Sequence, residues 1–452
     1  MDWTELPTDI LIEFVTRLVL ADWIKFGAVC KTWKRAADTA LNLRLRPKPE
    51  PPWLMLAPAA GDSPQHLAVA DFYSFSDGRR RSVTLPAPAI QSCMWIGSAK
   101  GWLVTADDEC GLHLLNPISG TQHSLPSITT TGYFDALPRT DGDEARFLFK
   151  VASFVETYWP EGHTGFVGWC SDIEISAEEI RSSRLLKAVP LWDPSSGEYS
   201  IMMMHCPRNR VVLARGRDAK WMPLQTRHRY EDVIVYRGQF YMVTLDGVVQ
   251  TWEHDDVTTP FNPRNVAPQF MSRHEDGLPL YIRKYLAQSP NGNLMLILRE
   301  HSTDRCDSES DDDVTAIEEE NDKDNYNAAH NYHYDPEPEP ELKPDPTVKF
   351  QAFILDERPG GSEWREVHDF GGASIFIGSN SATFFLSDRI PGLGADCIYF
   401  TEDNLSFFWD RKQMPRDIGV FDLKAKVMKP MPLPGVHMKS WPPQIWVTPS
   451  ML

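Results

Sequence analysis

Helical periodicity is missing from the whole chain after Trp53, and this constrains the fold more than any other feature of the 452-residue sequence. Short runs of β-branched and aromatic residues take its place, as in Trp102-Leu103-Val104-Thr105. Tight-turn dipeptides such as Arg237-Gly238 and Asp246-Gly247 lie between them, and residues 236–252 predict a three-strand meander. A long series of short strands indicates a sandwich array or a propeller. We therefore predict a mainly β protein.

A loose internal repeat favours the propeller. Each copy consists of an apolar strand, an Asp or Asn that can cap a turn, a few loop residues and a returning strand. Hairpins that recur in this way are expected from four-stranded blades arranged around an axis. Any β-meander also contains such hairpins, so a sandwich array remains the alternative. We predict a β-propeller of six to eight blades, with seven favoured, over residues 56–452. The copies begin at Leu114, Leu191, Phe353 and Val420.

The first 45 residues have a different pattern, with apolar residues spaced as on one face of a helix. Pro7 followed by Thr8 and Asp9 is a helix-start signal, because Pro fits the first turn and short oxygen side chains accept bonds from free N–H groups. We predict a helical domain over residues 1–45 and a stiff, Pro-rich linker over residues 46–55. The two periodic sets are Ile10, Leu11, Phe14, Val15 and Leu18, then Phe26, Val29, Cys30 and Trp33.

So small a helical unit needs something to cover its apolar faces. About 40 residues are too few for a self-sufficient core, and such units usually need a metal, a disulfide or a partner. The sequence shows neither a metal motif nor a disulfide pattern in this region. The faces therefore dock either on the β domain of the same chain or on another protein. The stiff linker favours a unit held at a distance that presents its apolar face to a second protein.

Most of the net charge of −18 lies in one segment. Residues 302–347 hold 16 acidic and 3 basic residues, a balance of −13, which leaves −5 for the rest of the chain. Low hydrophobicity and self-repulsion predict that this acidic insert is a disordered loop between two strands, either a solvated spacer, an acidic tether or a phosphorylation segment. The only obvious basic cluster is Arg79-Arg80-Arg81, too short for a nucleic-acid footprint, so we expect no nucleic-acid partner.

Other function classes lack their signatures. No apolar run approaches the roughly 20 residues of a membrane span, and the opening residues do not resemble a signal peptide, so we expect no membrane association and no secretion. The seven cysteines are scattered with no CxxC pair, which indicates reduced thiols in the cytoplasm, the nucleus or both. There is no P-loop, GxSxG elbow or HExxH motif. We expect no cofactor, no metal and no enzymatic activity.

The helical region resembles an F-box. The family pattern is Leu-Pro-x-Asp, an aliphatic helix and then Val-Cys-x-x-Trp, which this chain matches with Leu6-Pro7-Thr8-Asp9 and Val29-Cys30-Lys31-Thr32-Trp33. Val19 departs from it, since many members have Pro there. The resemblance implies a three-helix unit that binds a Skp-family adaptor and, through it, a cullin. The residues it implies for adaptor binding, in the docking face or in the helix packing beneath it, are Leu6, Pro7, Ile10, Leu11, Val29, Cys30 and Trp33.

The remainder resembles the KIB-type β-propeller domain of plant F-box proteins. The resemblance is carried by segments such as Gly101-Trp102-Leu103, Cys397-Ile398-Tyr399-Phe400 and Pro443-Gln444-Ile445-Trp446, and it excludes the acidic insert. It implies a substrate-recognition subunit of an SCF-type ubiquitin ligase, with an unidentified protein substrate held by the propeller. Two alternatives stay open. One is a propeller hydrolase or sugar-binding protein, and the other is an F-box scaffold that assembles no ligase.

Overall fold

Three short helices form an N-terminal unit that has a small core of its own. Pro7, with φ of −55° and ψ of 143°, immediately precedes the first helix, and Cys30, extended at φ of −161°, separates the second from the third. The computed structural model describes residues 6–57, 67–139, 143–150, 172–193, 196–206, 209–224, 228–252, 263–270, 282–302, 346–358, 361–390, 392–403, 416–433 and 442–451. The helices are α1 (Thr8–Val15), α2 (Leu20–Val29) and α3 (Lys31–Asn42).

Seven sheets, almost entirely antiparallel, dominate the rest of the described residues. The first comprises β28 (Ile445–Val447), β1 (Trp53–Leu56), β2 (Val69–Ser74) and β3 (Arg79–Thr84), in that order. The second comprises β4 (Met94–Ala99), β5 (Trp102–Ala106), β6 (Leu112–Leu115) and β7 (Gln122–Ser124). The third has three strands, β8 (Phe134–Ala136), β9 (Arg146–Phe149) and β10 (Ile173–Ser176).

The remaining four sheets follow in chain order. The fourth holds β11 (Leu185–Asp193), β12 (Glu198–His205), β13 (Arg210–Arg215) and β14 (Met222–Pro223). The fifth holds β15 (Tyr230–Tyr236), β16 (Gln239–Thr244), β17 (Val249–Thr251) and β18 (Arg264–Asn265). The sixth holds β19 (Ile282–Gln288), β20 (Leu294–His301), β21 (Thr347–Arg358) and β22 (Gly361–Val367). The seventh holds β23 (Ala373–Ile377), β24 (Thr383–Leu386), β25 (Cys397–Phe400), β26 (Gly419–Asp422) and β27 (Val427–Lys429).

The sheets are arranged as the blades of a propeller. Contacts run from β28 to β4, and then through β11, β15 and β19 to β24. The ring closes because the Trp446 indole of β28 donates a 3.1 Å hydrogen bond to the Ile377 carbonyl of β23. The three-stranded sheet adds no strand to this series within the described residues, but it shares a hydrophobic cluster with the second and fourth sheets. The mainly β propeller with an N-terminal helical unit is thus confirmed. Six of the seven sheets contribute strands to this series within the described residues, and the number of blades stays a prediction.

Backbone details explain the tight junctions. A Cβ on Gly97 of β4 would lie 1.8 Å from the Ala188 oxygen of β11, so only glycine permits these two inner strands to approach so closely. The predicted meander over residues 236–252 is formed by β15, β16 and β17, with turns at Arg237-Gly238 and Asp246-Gly247. The C-terminal β28 pairs with β1, so that Trp53 lies opposite Val447 and the two ends of the chain close the ring.

The predicted linker packs more closely than a spacer would. Glu50, Pro51 and Pro52 are buried, and β1 begins at Trp53, within the predicted range 46–55. The backbone N–H of Lys48 donates a 2.7 Å hydrogen bond to the Leu18 carbonyl, which ties the segment to the helices. Ala21 of α2 also joins the propeller cluster that contains Trp53, so the helical unit is in contact with the propeller and not held away from it.

The acidic insert lies almost entirely outside the described residues, so its predicted disorder stays a prediction. The strands on either side of it, β20 and β21, pair antiparallel, and the Ser302 N–H donates a 2.9 Å bond to the Pro346 carbonyl where the insert leaves the sheet. None of the helices in the described ranges has the length and apolar character needed to cross a membrane.

Candidate functional site

An apolar cleft in the helical unit is the main candidate site. It has a volume of about 230 Å³ and lies among the three helices. The Phe26 and Trp33 rings pack at 4.4 Å between centroids on one side, and Leu11 and Val15 of α1 are fully buried beneath it. The i, i+3, i+4 spacing of the helices places these side chains on facing stripes. The cleft is lined by Leu6, Leu11, Phe14, Leu18, Phe26 and Trp33.

The apolar character of the cleft continues onto exposed surface. Ile10 is 42% exposed and Phe14 is 53% exposed, and they lie one helical turn apart on α1. Val29 is 58% exposed at the end of α2, three residues after the cleft residue Phe26. We call Ile10, Phe14, Val29 and the cleft the apolar face. The helical unit leaves this much apolar surface uncovered although it packs against its own propeller, which is typical of a protein interaction site.

The seven residues predicted for adaptor binding fall into two groups. Pro7, Ile10 and Val29 are exposed, whereas Leu6, Cys30 and Trp33 are partly buried, so six of the seven are at or near the surface. Leu11 is fully buried in the core of the helical unit. It thus belongs to the helix packing beneath the face, the second of the two roles considered from the sequence. The direct contacts with an adaptor stay predictions. Of the seven, the structure brings Leu6, Leu11 and Trp33 together in the lining of the cleft.

Phe14 was not predicted as a site residue. It lines the cleft and is more exposed than Ile10, so any partner on this face contacts it. The signal was present in the sequence, since Phe14 follows Ile10 by four residues on the apolar stripe of α1. The residues predicted from the family pattern are Leu6-Pro7, Ile10-Leu11 and three residues within 29–33, and Phe14 lies between these segments.

Exposed charged side chains of the helical unit pair with each other. Glu13 of α1 pairs with Arg17, two residues after α1 ends, and the Lys25 Nζ lies 3.1 Å from the Asp22 Oδ1 on α2. All four side chains are more than half exposed, so these pairs contribute little to stability. The cleft lining itself carries no charged residue. A partner in this cleft would therefore be held by apolar burial.

A second cluster consists of buried charged residues near the start of β11 and β15. The Lys187 Nζ is 2.6 Å from the Asp232 Oδ1, and each side chain is 1% exposed. The same ammonium donates to the Gly378 carbonyl at 3.3 Å, and the other carboxylate oxygen of Asp232 accepts the Leu286 N–H at 2.8 Å. Burial raises the pKa of Asp232, and Lys187 opposes that shift. The pair joins the fourth, fifth, sixth and seventh sheets.

Arg299 forms the centre of a neighbouring network. Its guanidinium is fully buried and lies 3.2 Å from the Asp403 Oδ1 and 2.9 Å from the Asp417 Oδ2. Burial alone would raise the pKa of Asp403, but Arg283 and Arg299 bring it below its ordinary value. The Tyr285 hydroxyl donates to Asp403 at 2.9 Å, and burial raises the pKa of that phenol. Buried carboxylates that each contact an arginine in this way are typical of ion pairs that stabilise a fold.

These clusters bear on the alternative of a propeller hydrolase. Glu231, Asp232 and Asp403 each face a Lys or Arg, and burial raises the pKa of Glu231 while Lys284, 3.1 Å away, opposes that shift. No group of three or more His, Cys, Asp and Glu side chains in the described ranges could hold a metal ion. Each of these three carboxylates is paired with a cation. They therefore give no support to the alternative of a propeller hydrolase, which would need a pair of free carboxylates.

Comparisons with known proteins agree with this division of the chain. A family model described as the KIB1-4 beta-propeller matches residues 72–422, and a model of the F-box domain matches residues 3–45. An F-box protein of Arabidopsis thaliana is 26% identical over 187 residues, which cover 37% of this chain and 46% of that protein. An F-box/kelch-repeat protein of the same organism is 29% identical over 136 residues, covering 29% of this chain and 34% of that one. The match thus spans less than half the length of these relatives.

Solved structures resemble the chain only distantly. The N-terminal domain of Nup159 is 10% identical with a TM-score of 0.28, and the alignment covers 71% of this chain and 65% of that one. The Cps50 β-propeller domain of Myceliophteria thermophila is 7% identical with a TM-score of 0.25, over 57% of this chain and 81% of that one. Scores this low support no argument about shape or function.

Proposed function

The chain belongs to the KIB1-4 β-propeller family, and on that premise we propose that it is the substrate-recognition subunit of an SCF-type (Skp–cullin–F-box) ubiquitin ligase. The F-box unit binds a Skp-family adaptor and, through it, a cullin. The propeller holds a target protein, whose identity is open. The chain breaks no covalent bond in this role and supplies proximity and orientation, which replace much of the cost of bringing two reactants together. It acts in the cytoplasm, the nucleus or both.

The apolar face carries the proposal. Ile10, Phe14 and Val29 expose 42 to 58% of their surface beside a cleft of about 230 Å³. Exposing three large apolar side chains on a unit of three helices costs free energy unless a partner covers them. The F-box family match over residues 3–45 indicates which partner this is. The exposed residues and the family motif coincide at Pro7, Ile10 and Val29.

Co-purification of the full chain tests the proposal. The wild-type chain should retain both a Skp-family adaptor and a cullin. The double variant Ile10→Asp and Val29→Asp should lower adaptor affinity by about 100-fold or more, because two central apolar anchors each typically contribute more than tenfold. Both side chains are exposed, so the variant should stay folded by circular dichroism.

The matched control is Val427→Asp. Val427 is 49% exposed, close to the 58% of Val29, but it lies on β27 in the propeller. The control should retain adaptor and cullin. Full retention of both partners by the double variant would refute the proposed site. Adaptor binding without cullin in the wild-type chain would instead favour the scaffold that assembles no ligase.

A further inference from the structure

The segment after β28 lies against the helical unit. Thr448, Pro449, Ser450 and Met451 are all partly buried. The Met451 side chain packs on the core of the helical unit, the cluster that contains Trp23. It also lines a cavity of about 550 Å³ between α2 and α3. The C-terminal end of the chain therefore reaches back to its N-terminal domain.

The start of this segment is held firmly by the propeller. Val447 pairs with Trp53 in the sheet, and the Ser98 hydroxyl of β4 donates to the Trp446 carbonyl. The segment then passes directly over the β4–β5 turn. A Cβ on Gly101, whose φ is +92°, would lie 2.3 Å from the Ser450 Cβ. The segment leaves β28 and crosses this turn at a distance that a side chain at position 101 would not permit.

Two further links within the described residues come from the N-terminal side of the chain. Ala21 of α2 joins the propeller cluster that contains Trp53, and the N–H of Lys48, in the linker, bonds to the Leu18 carbonyl of the helical unit at 2.7 Å. Domains joined by one small interface rotate relative to each other unless more contacts restrain them. Met451 supplies a contact from the opposite end of the chain, and a second connection restrains the rotation that one connection leaves free.

We propose that residues 448–451 form a positioning strap, with Met451 as its anchor, that holds the F-box unit at a fixed orientation to the propeller. Its use rests on the proposed function, because a fixed orientation keeps a bound target at a constant distance from the ubiquitin-charged enzyme. The strap itself needs neither adaptor nor target. Met451 is a positioning residue, since it acts through the α2–α3 surface on which it lies.

Hydrogen exchange of the full chain tests the strap. The variant Met451→Asp places a charge where an apolar side chain packs on α2 and α3. The matched control is Met428→Asp on β27, where Met428 is 37% exposed. In Met451→Asp the Lys48 amide should exchange about 5 to 30 times faster, because its bond joins the helices to the linker that continues into β1, and rotation of the helical unit against the propeller opens it. Amides of the inner strands should keep their protection in both variants.

Three results decide the proposal. Unchanged exchange at Lys48, both in Met451→Asp and in a chain that ends at Pro449, would overturn it. Adaptor affinity should stay within about twofold of the wild type. Tighter adaptor binding by Met451→Asp would also overturn it, because the segment would then compete with the adaptor for α2 and α3. Since the exchange measurement uses the chain alone, its failure leaves the ligase proposal standing, and loss of that proposal leaves the exchange result intact.

Discussion

Replacing Lys187 by Met should destabilise the propeller strongly. The Lys187–Asp232 pair is 1% exposed on both sides, and the ammonium also bonds to the Gly378 carbonyl. Removing the cation leaves a buried carboxylate that still accepts the Leu286 N–H but has lost its counter-charge. Breaking one side of a buried pair typically costs about 3–5 kcal/mol. We therefore expect the free energy of unfolding to fall by that amount, measured by urea unfolding with tryptophan fluorescence.

The double variant Lys187→Met and Asp232→Asn separates charge from packing. Asn at position 232 keeps an oxygen for the Leu286 N–H, and Met fills the volume of the lysine stem. Because replacing both members of a buried pair is often neutral or stabilising, the double variant should recover the stability to within about 1 kcal/mol of the wild type. An equally unstable double variant, or a single variant that loses less than about 1 kcal/mol, would refute the electrostatic reasoning.

The same pair gives a signed pH effect. Burial raises the pKa of Asp232, and Lys187 counteracts this, so the pKa rises further when Lys187 is removed. A carboxyl group with a raised folded-state pKa favours folding in its neutral form, and that stability is lost as pH rises through the raised value. The deficit of Lys187→Met relative to the wild type should therefore shrink as the pH is lowered towards the ordinary carboxyl range. A deficit that grows on acidification would contradict this assignment.

Three further predictions concern stability. Replacing residues 303–345 by an Asn-Gly turn should leave the propeller folded and stabilise it by up to about 2 kcal/mol in urea unfolding, because closing a much shorter loop costs less entropy. A clear loss of stability would contradict this. Burial lowers the pKa of His205 to about 4, so stability of about 3 kcal/mol, present above pH 6.5, should be lost as the pH falls to 4. Thermal melts of His205→Asn should show less of this loss. Gly97→Ala should lower the free energy of unfolding by several kcal/mol, because the new Cβ would lie 1.8 Å from the Ala188 oxygen. A thermal melt like that of the wild type would contradict this, since it would show that β4 and β11 can move apart at little cost.

The helical site could be predicted because its residues are close together in the sequence. Residues 6–33 contain the whole apolar face, and helical spacing alone places Ile10 and Phe14 on one stripe. The packing of the linker, in contrast, could not be predicted from the sequence. Its prolines indicated a spacer, yet Pro51 and Pro52 are buried. Composition predicts the stiffness of such a segment but not the surface on which it lies.

The polar network could not be predicted for the opposite reason. Lys187 bonds to Asp232, 45 residues away, and to Gly378, 191 residues away. Each of these residues lies within or beside an apolar strand run, where a single charged residue carries no local signal. Only the closure of the ring brings them together. The strands and turns were predictable from local pattern, whereas the order of the inner strands around the ring required the three-dimensional structure.

The two clusters should respond to mutation in opposite ways, and this distinguishes a recognition site from a structural one. Ile10 and Val29 are exposed and have few neighbours to lose, so their substitution should abolish partner binding and leave unfolding unchanged. Lys187 and Arg299 are fully buried and joined to several blades, so their substitution should lower stability, and adaptor binding should persist while the helical unit stays folded. If a substitution at Lys187 removed the adaptor at temperatures where the propeller remains folded, the helical unit would not be an independent recognition site. The separation of the two effects is therefore the most direct test of how this chain divides binding from scaffolding.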